Sequence, residues 1–485
     1  MNFNEMSLLT DLYELTMMQG YCFTGLSKKT VVFDLFYRKN PSGNGFAIVA
    51  GLEQAIDYIK NLKFSKEDID YLKSLNIFND EFITYLENFK FSGDIYAIPE
   101  GTVVFPHEPL MRIKAPIVEA QLIETAILNI INHQSLIATK SARVVWASEG
   151  DPVLEFGLRR AQGPDAGTYG ARAAVIGGCV GTSNVLAGKL FDIPVKGTHA
   201  HSWVMSFPDE LTAFRKYAEL FPNACTLLVD TYNTLESGIP NAIKVFTEMR
   251  EKGIELKNYG IRLDSGDLAY LSKKARHMLD EAGFKDAVIS ASSDLDENLI
   301  TSLKSQNAEI HLWGVGTKLI TSDDCPSFGG VYKLSAETDE NGEFIPKIKL
   351  SNNPAKVTNP GIKKIFRIYD KKTGKIKADL ITLDDETINT NEPLELTDPN
   401  AKWKKMKLMA GEYEVRELLV PIFLNGECVY ESPKTMDIRK YCEKELETLW
   451  DEHRRLKNPE IVPVDLSEKL ENLKTQLINR FSTVD

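Results

Sequence analysis

Apolar and polar positions follow different periods along the chain, and each period predicts a different element. Residues 51–86 carry apolar side chains at the helical period. The stretch after Pro116 is predicted to be one long helix, because proline is tolerated in a first helical turn. Strand-like apolar runs lie at residues 31–36, 46–49, 94–98 and 102–105. The N-terminal part is therefore predicted to mix strands and helices.

The middle of the chain has a different pattern. Between residues 152 and 332, short apolar runs are followed by Gly, Asp, Ser or Thr and then by helix-period segments, which is typical of βα units. The carboxyl ends of parallel strands meet at one edge of a barrel or open sheet, where active sites form. The predicted strand ends fall near Phe156, Gly197, Asp230, Asp264, Ala291 and Gly314.

The last part, after Leu334, is richer in charge and turn signals. Short strands are predicted up to about Val420 and polar helices from Met436 onward. We expect three parts: an N-terminal α/β domain with a long helix (1–140), an α/β barrel (141–340), and a C-terminal segment that packs on the N-terminal domain (341–485).

Composition and charge exclude several classes of protein. The 485 residues include 57 basic and 69 acidic side chains, a net charge of −12 that disfavours nucleic-acid binding. The six cysteines form no CxxC pair, which favours reduced thiols over zinc or disulfides. We see neither a signal peptide nor ~18 consecutive apolar residues. We therefore expect a cytoplasmic protein that binds neither nucleic acid nor a membrane.

Two histidines stand in the turn VKGTHAHSWVM, at His199 and His201. The turn follows a strand-like start, so one of the rings is expected to point into a site. From the residues alone, three readings stay open: a structural histidine, a nucleophile or acid–base group, and a metal ligand that lacks a third partner.

Three other strand ends carry chemistry suited to anions. Arg262, Asp264 and Asp267 in YGIRLDSGDLAYL suit a sugar and an anionic group, although the acids also suit a helix cap. Phe156 beside Arg159 suits a planar anionic ring, although Phe156 also suits the core. The glycine turns LWGVGTKLIT and FGGVYKL suit phosphate, although each is also an ordinary tight turn.

Taken together and in this order, the segments resemble the nicotinate phosphoribosyltransferase family, which joins nicotinic acid to phosphoribosyl pyrophosphate in NAD salvage. The similarity spans most of the chain. The matching segments are LLTDLYELTM (8–17), VVFDLFYRK (31–39), EFGLRRAQG (155–163), GGCVGTSN (177–184), KGTHAHSW (196–203), LVDTYNT (228–234), IRLDSGDL (261–268), WGVGT (313–317) and GGVYKL (329–334).

The resemblance implies a fold, an assembly and a mechanism. The fold is an irregular α/β barrel of the type II phosphoribosyltransferase kind, with a second α/β domain built from the N- and C-terminal segments. The assembly is a homodimer with shared active sites, in which Tyr13 serves the partner's site. ATP phosphorylates His201, so that a ligase-type coupling drives the pentosyl transfer. The implied cofactors are ATP as co-substrate and Mg²⁺, whose protein ligands are not assigned.

The resemblance also implies individual roles. His201 and Asp264 are the expected catalytic residues, with Asp264 on the ribose hydroxyls. The nicotinate-binding residues are expected to be Tyr13, Phe156, Arg159, Ser183, Thr198 and Arg262. The residues for phosphate and phosphoribosyl pyrophosphate are expected to be Arg38, Gly314, Gly316, Thr317, Gly329 and Gly330.

Two alternatives remain at this point. A related enzyme could use nicotinamide or quinolinate instead of nicotinate, although quinolinate enzymes are much shorter. A non-catalytic nucleotide-binding protein on the same fold is the alternative from another class, and pyrophosphate release would distinguish it.

Overall fold

The structure is a computed structural model that describes residues 6–399, 401 and 403–482. The chain divides into two compact units. The first comprises Met1–Leu136, Ser327–Pro433 and Lys440–Asp485, and the second comprises Ile137–Pro326 and Lys434–Arg439.

The N-terminal elements confirm the predicted mixture of strands and helices. The region of helical period, 51–86, forms three helices. The elements are α1 (Leu12–Phe23), β1 (Thr30–Tyr37), β2 (Ala47–Ile48), α2 (Leu52–Asn61), α3 (Lys66–Ser74), α4 (Asp80–Glu87), β3 (Asp94–Ala97), β4 (Val103–Val104), β5 (Met111–Pro116), α5 (Ile117–Leu122) and α6 (Glu124–Ala147).

The prediction of one long helix after Pro116 is wrong in one respect, because the helix is interrupted at Ile123. The amide of Thr125 donates to Glu14 Oε1 at 3.1 Å, and the Thr125 hydroxyl donates to the same oxygen at 2.7 Å. A carboxylate at this position satisfies an N-terminal amide that has no partner within the helix. Glu14 therefore caps the start of α6.

The second unit alternates strands and helices, as the pattern predicted. Its elements are β6 (Val153–Glu155), α7 (Pro164–Ile176), β7 (Gly181–Thr182), α8 (Val185–Phe191), α9 (His201–Met205), α10 (Glu210–Leu220), β8 (Cys225–Leu228), α11 (Ile239–Glu251), β9 (Tyr259–Leu263), α12 (Leu268–Glu281), β10 (Val288–Ala291), α13 (Glu297–Ser305), β11 (Leu312–Val315) and α14 (Thr317–Ile320).

The six strands of this unit form one parallel sheet in the order β7-β6-β11-β10-β9-β8, which curls into a half-barrel. Five predicted strand ends coincide with the ends of β6, β8, β9, β10 and β11. The sixth does not. Near Gly197 the backbone forms only an isolated bridge, from Val195 to Thr182 of β7, so the short strand β7 takes the place of the expected one.

The C-terminal elements are β12 (Gly330–Thr338), β13 (Phe344–Pro346), β14 (Lys363–Asp370), β15 (Ile376–Leu383), β16 (Leu394–Thr397), β17 (Lys405–Leu408), β18 (Tyr413–Glu417), β19 (Val420–Leu424), β20 (Glu427–Cys428), α15 (Thr435–Glu447), α16 (Asp451–Arg454), β21 (Val464–Leu466) and α17 (Glu468–Ser482).

The first unit is a second α/β structure built from both ends of the chain. Its seven-stranded sheet has the order β13-β12-β1-β5-β3-β19-β20, with β1 antiparallel to β12 and β5. A further sheet has the order β18-β14-β15-β21. Together the two units confirm the predicted fold class. In the part of the chain that the structure describes, no helix combines the length and apolar character required to cross a bilayer.

Candidate active site

A pocket of about 420 Å³ opens at the carboxyl ends of the parallel strands of the second unit. This is the edge where the sequence pattern placed a site. The predicted site residues that line it are Phe156, Arg159, Ser183, Thr198, His201, Arg262, Asp264, Gly314, Gly316 and Thr317. Residues from distant parts of the sequence are thus brought together by the parallel topology.

The two histidines of the turn have different environments. His199 is buried, and its Nε2 accepts a hydrogen bond from the amide of Leu228 at 3.2 Å. Its ring packs edge-on against Tyr217, with a centroid distance of 4.6 Å. Burial lowers the pKa of His199 to about 4, so the ring is neutral at pH 7. His199 is therefore a structural histidine that holds the turn on β8.

His201 begins α9 and faces the pocket, and 38% of its side chain is exposed. Its Nε2 lies 3.3 Å from Asp230 Oδ1. The carboxylate of Asp230 is 2% exposed, and its second oxygen accepts from the amide of Asp264 at 2.8 Å and from the hydroxyl of Ser265 at 2.7 Å. These bonds fix the carboxylate, which in turn orients the imidazole. Asp230 was not among the predicted site residues, although its position at a strand end was recognised.

Arg262, near the end of β9, has only part of its hydrogen-bonding capacity satisfied by the protein. Its Nη1 donates to the hydroxyl of Thr198, while its Nε is buried and has no protein partner. Burial lowers the pKa of Arg262, and the nearby Asp264 and Asp230 oppose this effect. A buried guanidinium with an unpaired N–H is suited to a bound carboxylate or phosphate.

Glu155 organises the turn after β6. This fully buried carboxylate accepts from the Thr182 hydroxyl at 2.5 Å and from the amide of Gly157. Burial raises its pKa. The two bonds tie the turn that carries Phe156 to the neighbouring strand β7. Glu155 was not predicted, because a single acid at a strand end gives no signal of its own.

The ring of Phe156 packs where only glycine leaves room. A Cβ at Gly314 would lie 2.7 Å from the ring, and a Cβ at Gly316 would lie 3.2 Å from the Phe156 carbonyl oxygen. A larger residue at Gly314 would push the ring out of its position. Gly314 and Gly316 therefore allow close backbone approach in the pocket.

Asp264 and two neighbours add oxygen atoms to the pocket. Asp264 Oδ1 accepts a hydrogen bond from the hydroxyl of Ser292, and Asp294 also lines the pocket. Ser292 and Asp294 follow β10 and were not predicted, because nothing in their local sequence distinguishes them from ordinary loop residues. Among the residues that the structure describes, no group of three or more His, Cys, Asp or Glu side chains could hold a metal ion.

Four predicted site residues belong to the first unit. Tyr13 lies on α1 and is 46% exposed. The guanidinium of Arg38, just after β1, lies 5.5 Å from the centre of the Phe36 ring, and its buried Nε has no protein partner. Gly329 has φ +73°, and a Cβ at Gly330 would lie 2.2 Å from Asn132 Oδ1. Gly329 therefore needs glycine for its backbone conformation, and Gly330 for the close approach of the Asn132 side chain.

The fold and the pocket define a class of protein: a parallel α/β half-barrel with a polar pocket at its strand ends. Family models point to one member of that class. The nicotinate phosphoribosyltransferase (NAPRTase) family model matches residues 152–334, and the N- and C-terminal domain models of nicotinate phosphoribosyltransferase match residues 8–132 and 362–474.

Individual proteins give the same result. Nicotinate phosphoribosyltransferase of Bacillus subtilis is 49% identical over 476 residues, covering 98% of this chain and 96% of the relative. The enzyme of that name from Caenorhabditis elegans is 38% identical, covering 96% and 92%. The crystal structure of human nicotinic acid phosphoribosyltransferase superimposes with a TM-score of 0.84 at 30% identity, covering 96% and 99%. The chain therefore belongs to the nicotinate phosphoribosyltransferase family.

Proposed function

We propose that this chain transfers phosphoribose from phosphoribosyl pyrophosphate to nicotinate and couples the transfer to ATP through a phosphohistidine at His201. The products are nicotinate mononucleotide and pyrophosphate, a step of pyridine nucleotide biosynthesis. Family membership supports the transfer. The observation that carries the assignment of the pocket is the buried, incompletely paired guanidinium of Arg262 beside Phe156.

Nicotinate fits the part of the pocket around Arg262, where Thr198 accepts from the guanidinium. The guanidinium offsets the desolvation of the carboxylate, and the hydroxyl of Ser183 adds a hydrogen-bond donor. Phe156 offers an aromatic face to the ring, and Arg159 adds positive charge nearby. The pyridine nitrogen has a free lone pair at pH 7, so its attack on C1 of the ribose requires no general base.

The phosphoribosyl substrate fits the remaining strand ends. Backbone amides around Gly314 and Gly316, with the hydroxyl of Thr317, suit the 5-phosphate. The carboxylate of Asp264 suits the ribose hydroxyls and helps to orient the sugar while positive charge develops on it. In the first unit, the Nε of Arg38 has no protein partner, and we assign pyrophosphate to this guanidinium.

The donor set also fits Mg²⁺. Mg²⁺ binds through one or two carboxylates, water and substrate phosphates, and the pocket offers the carboxylates of Asp264 and Asp294. When bound, the ion neutralises charge on the departing pyrophosphate.

ATP is used through His201. The Nε2–H donates to Asp230, which leaves the lone pair of Nδ1 as the nucleophile. Nδ1 attacks the γ-phosphorus, an N–P bond forms, the bond to the ADP oxygen breaks, and water later hydrolyses the phosphohistidine to phosphate. His199 is excluded from this role because its Nε2 lone pair accepts from Leu228 and the ring is buried.

The chain is proposed to act as a homodimer in which Tyr13 enters the partner's site. Each unit exposes an apolar helix face: Leu12 and Met17 flank Tyr13 on α1, while Val185 and Leu186 lie on α8, just after Ser183. Exposed apolar surface of this kind favours association.

Mixing Tyr13→Ala chains with His201→Ala chains should restore part of the activity. If a demonstrated mixed dimer shows no recovery, the active sites are not shared between the two chains.

We also propose a cytoplasmic location. Cys22, Cys179, Cys225 and Cys428 form no disulfide. Cysteines outside disulfides are typical of a reducing compartment.

Product analysis tests the transfer itself. The full chain is incubated with phosphoribosyl pyrophosphate, Mg²⁺ and one of nicotinate, nicotinamide or quinolinate, with and without ATP. We expect nicotinate mononucleotide and pyrophosphate with nicotinate, and faster product formation with ATP. Equal use of nicotinamide and nicotinate at pH 7 would refute the substrate assignment. Release of no pyrophosphate with any pyridine would refute the enzyme function.

The phosphohistidine has its own test. Phosphopeptide mapping after incubation with ATP should label His201, and His201→Ala should lose ATPase activity while it keeps slow, ATP-independent transfer. The matched control is His277→Ala, which removes an exposed histidine of α12 and should change nothing. Label on His199, or unchanged ATPase activity in His201→Ala, would contradict the assignment.

The choice of acid over amide is tested at Ser183. An aspartate there would repel the nicotinate carboxylate and accept from an amide N–H₂. Ser183→Asp should therefore lower kcat/KM for nicotinate more than that for nicotinamide. A uniform loss with both substrates would indicate simple disruption of the pocket.

A further inference from the structure

A second cavity, of about 360 Å³, lies along the same parallel sheet. It shares lining residues with the strand-end pocket, among them Thr198 and Arg262. Its other end is formed where strands begin: Ala224 precedes β8, Asn258 precedes β9 and Val288 begins β10. The cavity therefore runs from the carboxyl ends of the strands to their amino ends. Ala224 and Asn258 are exposed, so this far end reaches solvent.

The charged side chains that line this cavity are all positive. Its charged lining residues are Lys196, Lys257 and Arg262, and no carboxylate is among the described residues that line it. In a chain with a net charge of −12, such a lining is selective for anions. Lys257 also lies 3.0 Å from Glu255, but both side chains are largely exposed, and such a surface pair is weak.

The walls suit a flat ring. Apolar side chains from strand interiors, such as Leu154 and Ala291, face the cavity together with the hydroxyls of Thr226 and Ser290. An apolar lining with a few polar groups is typical of sites for small molecules. Arg262, the residue assigned above to the nicotinate carboxylate, lines both this cavity and the strand-end pocket.

We propose that this cavity is a second opening to the active site, through which an aromatic monocarboxylate reaches Arg262 while the phosphoribosyl substrate fills the strand-end pocket. The proposal rests on the proposed function for the identity of the carboxylate as nicotinate. Lys196 and Lys257 attract the anion at the mouth, and Arg262 receives it at the inner end. Nicotinate and the phosphoribosyl substrate can then bind in either order, because neither has to pass the other.

A route has a kinetic signature that a binding residue lacks. Narrowing a route slows association and dissociation by the same factor and leaves Kd unchanged, because the bound state is not altered. Removing a contact to bound ligand changes Kd. Ala224→Trp places a large ring at the exposed mouth and should act as a constriction. Ala355→Trp, at an exposed position that lines neither cavity, is the matched control.

The experiment measures radiolabelled nicotinate binding to the full chain by rapid filtration, with ribose 5-phosphate and pyrophosphate present to fill the strand-end pocket without reaction. We expect Ala224→Trp to slow the association of labelled nicotinate and also its dissociation, which is measured by a chase with unlabelled nicotinate. The Kd should be unchanged. Unchanged rates in Ala224→Trp would overturn the route. A changed Kd would make the cavity a binding site rather than a route, and would also overturn it.

Charge removal gives an independent measurement. The double variant Lys196→Gln/Lys257→Gln should lower the association rate of nicotinate roughly threefold to tenfold and weaken its salt dependence, since steering by charge acts on encounter. The KM of phosphoribosyl pyrophosphate should not change. The control Lys244→Gln/Lys252→Gln removes the same charge from exposed positions outside both cavities. Equal rates in the two double variants would overturn the role of the lysines.

The outcomes separate this proposal from the proposed function. If the wild-type chain binds nicotinate but forms no mononucleotide, the proposed function is refuted. The binding rates of the variants still test whether the cavity is a route. If the chain forms the mononucleotide but neither cavity variant changes the association rate of nicotinate, only the second opening is refuted.

Discussion

Each unit contains charged side chains of the same types in a different arrangement. In the first unit they pair with one another, and in the second an arginine keeps an N–H that has no protein partner. In the first unit, Arg367 is fully buried and donates to Asp379 at 2.6 Å and to Glu445 at 3.3 Å. Arg416 completes the pairing of Glu445 at 2.7 Å. In the second unit, Arg262 keeps an unpaired Nε beside a pocket.

This difference distinguishes charged residues that stabilise the fold from charged residues that bind a ligand. Where buried arginines and carboxylates satisfy one another, removal of one leaves an uncompensated charge and the fold loses stability. Where an arginine lines a pocket and keeps a donor that has no protein partner, we expect its removal to cost the fold little and to weaken ligand binding. Four predictions test this contrast.

The largest effect is expected for Arg367→Ala, because it leaves the buried carboxylate of Asp379 without its arginine, whereas Glu445 keeps Arg416. The free energy of unfolding should fall by about 3–5 kcal/mol, measured by urea denaturation at pH 7. The control is Arg416→Ala, whose side chain is 37% exposed and whose loss water can compensate. A loss in Arg367→Ala no larger than that in Arg416→Ala would break the comparison.

Arg262→Ala should affect the ligand instead of the fold. The loss of a charge-assisted hydrogen bond costs on the order of 1.5–3 kcal/mol, or roughly 10-fold to 150-fold in nicotinate affinity. The unfolding free energy should stay close to that of wild type. Arg215→Ala, which removes an exposed arginine paired with Glu248, is the control for binding. If Arg262→Ala unfolds the chain but leaves the affinity of the folded fraction intact, the contrast fails.

His199→Phe should affect stability and its dependence on pH. The amide of Leu228 loses its acceptor, a cost of about 1–3 kcal/mol. The pKa of His199 in the folded chain is about 4, below its ordinary value of 6.5, so between these values the unfolded chain binds more protons. Wild-type stability therefore falls as the pH drops from 6.5 toward 4. Denaturation curves should show a flatter dependence in His199→Phe, and His277→Phe should keep the wild-type slope.

Glu108→Gln should show the smallest effect, with the opposite dependence on pH. Burial and the neighbouring Asp379 raise the pKa of Glu108 well above its usual range. The folded chain then keeps a proton that the unfolded chain has lost, so the wild type loses stability as the pH rises above about 4.5. Glutamine is neutral at every pH and removes this slope. The stability of Glu108→Gln relative to wild type should rise as the pH rises above about 4.5. Equal dependence of the two unfolding free energies on pH would contradict this.

Much of the candidate site was visible in the sequence because parallel topology is so restrictive. Once βα alternation was recognised, Phe156, Arg262 and Gly314 had to meet at one edge, since carboxyl ends of parallel strands lie together. Asp230 and Glu155 were not predicted as site residues, because their roles depend on hydrogen bonds to distant residues. Asp230 is bonded to His201 and to the backbone of Asp264, and Glu155 is bonded to Thr182.

The sequence by itself determined most of the order of strands and helices and the choice between broad classes of protein, because these follow from local periodicity and composition. Only the tertiary structure gives His199 and His201 their different surroundings. The two rings share one turn, yet Nε2 of His199 accepts from the amide of Leu228 while Nε2 of His201 lies 3.3 Å from Asp230 Oδ1. The pairing of β1 with β12, some 300 residues away, was decided in the same way. Such contacts depend on which surfaces meet when the chain closes on itself, and no local pattern encodes them.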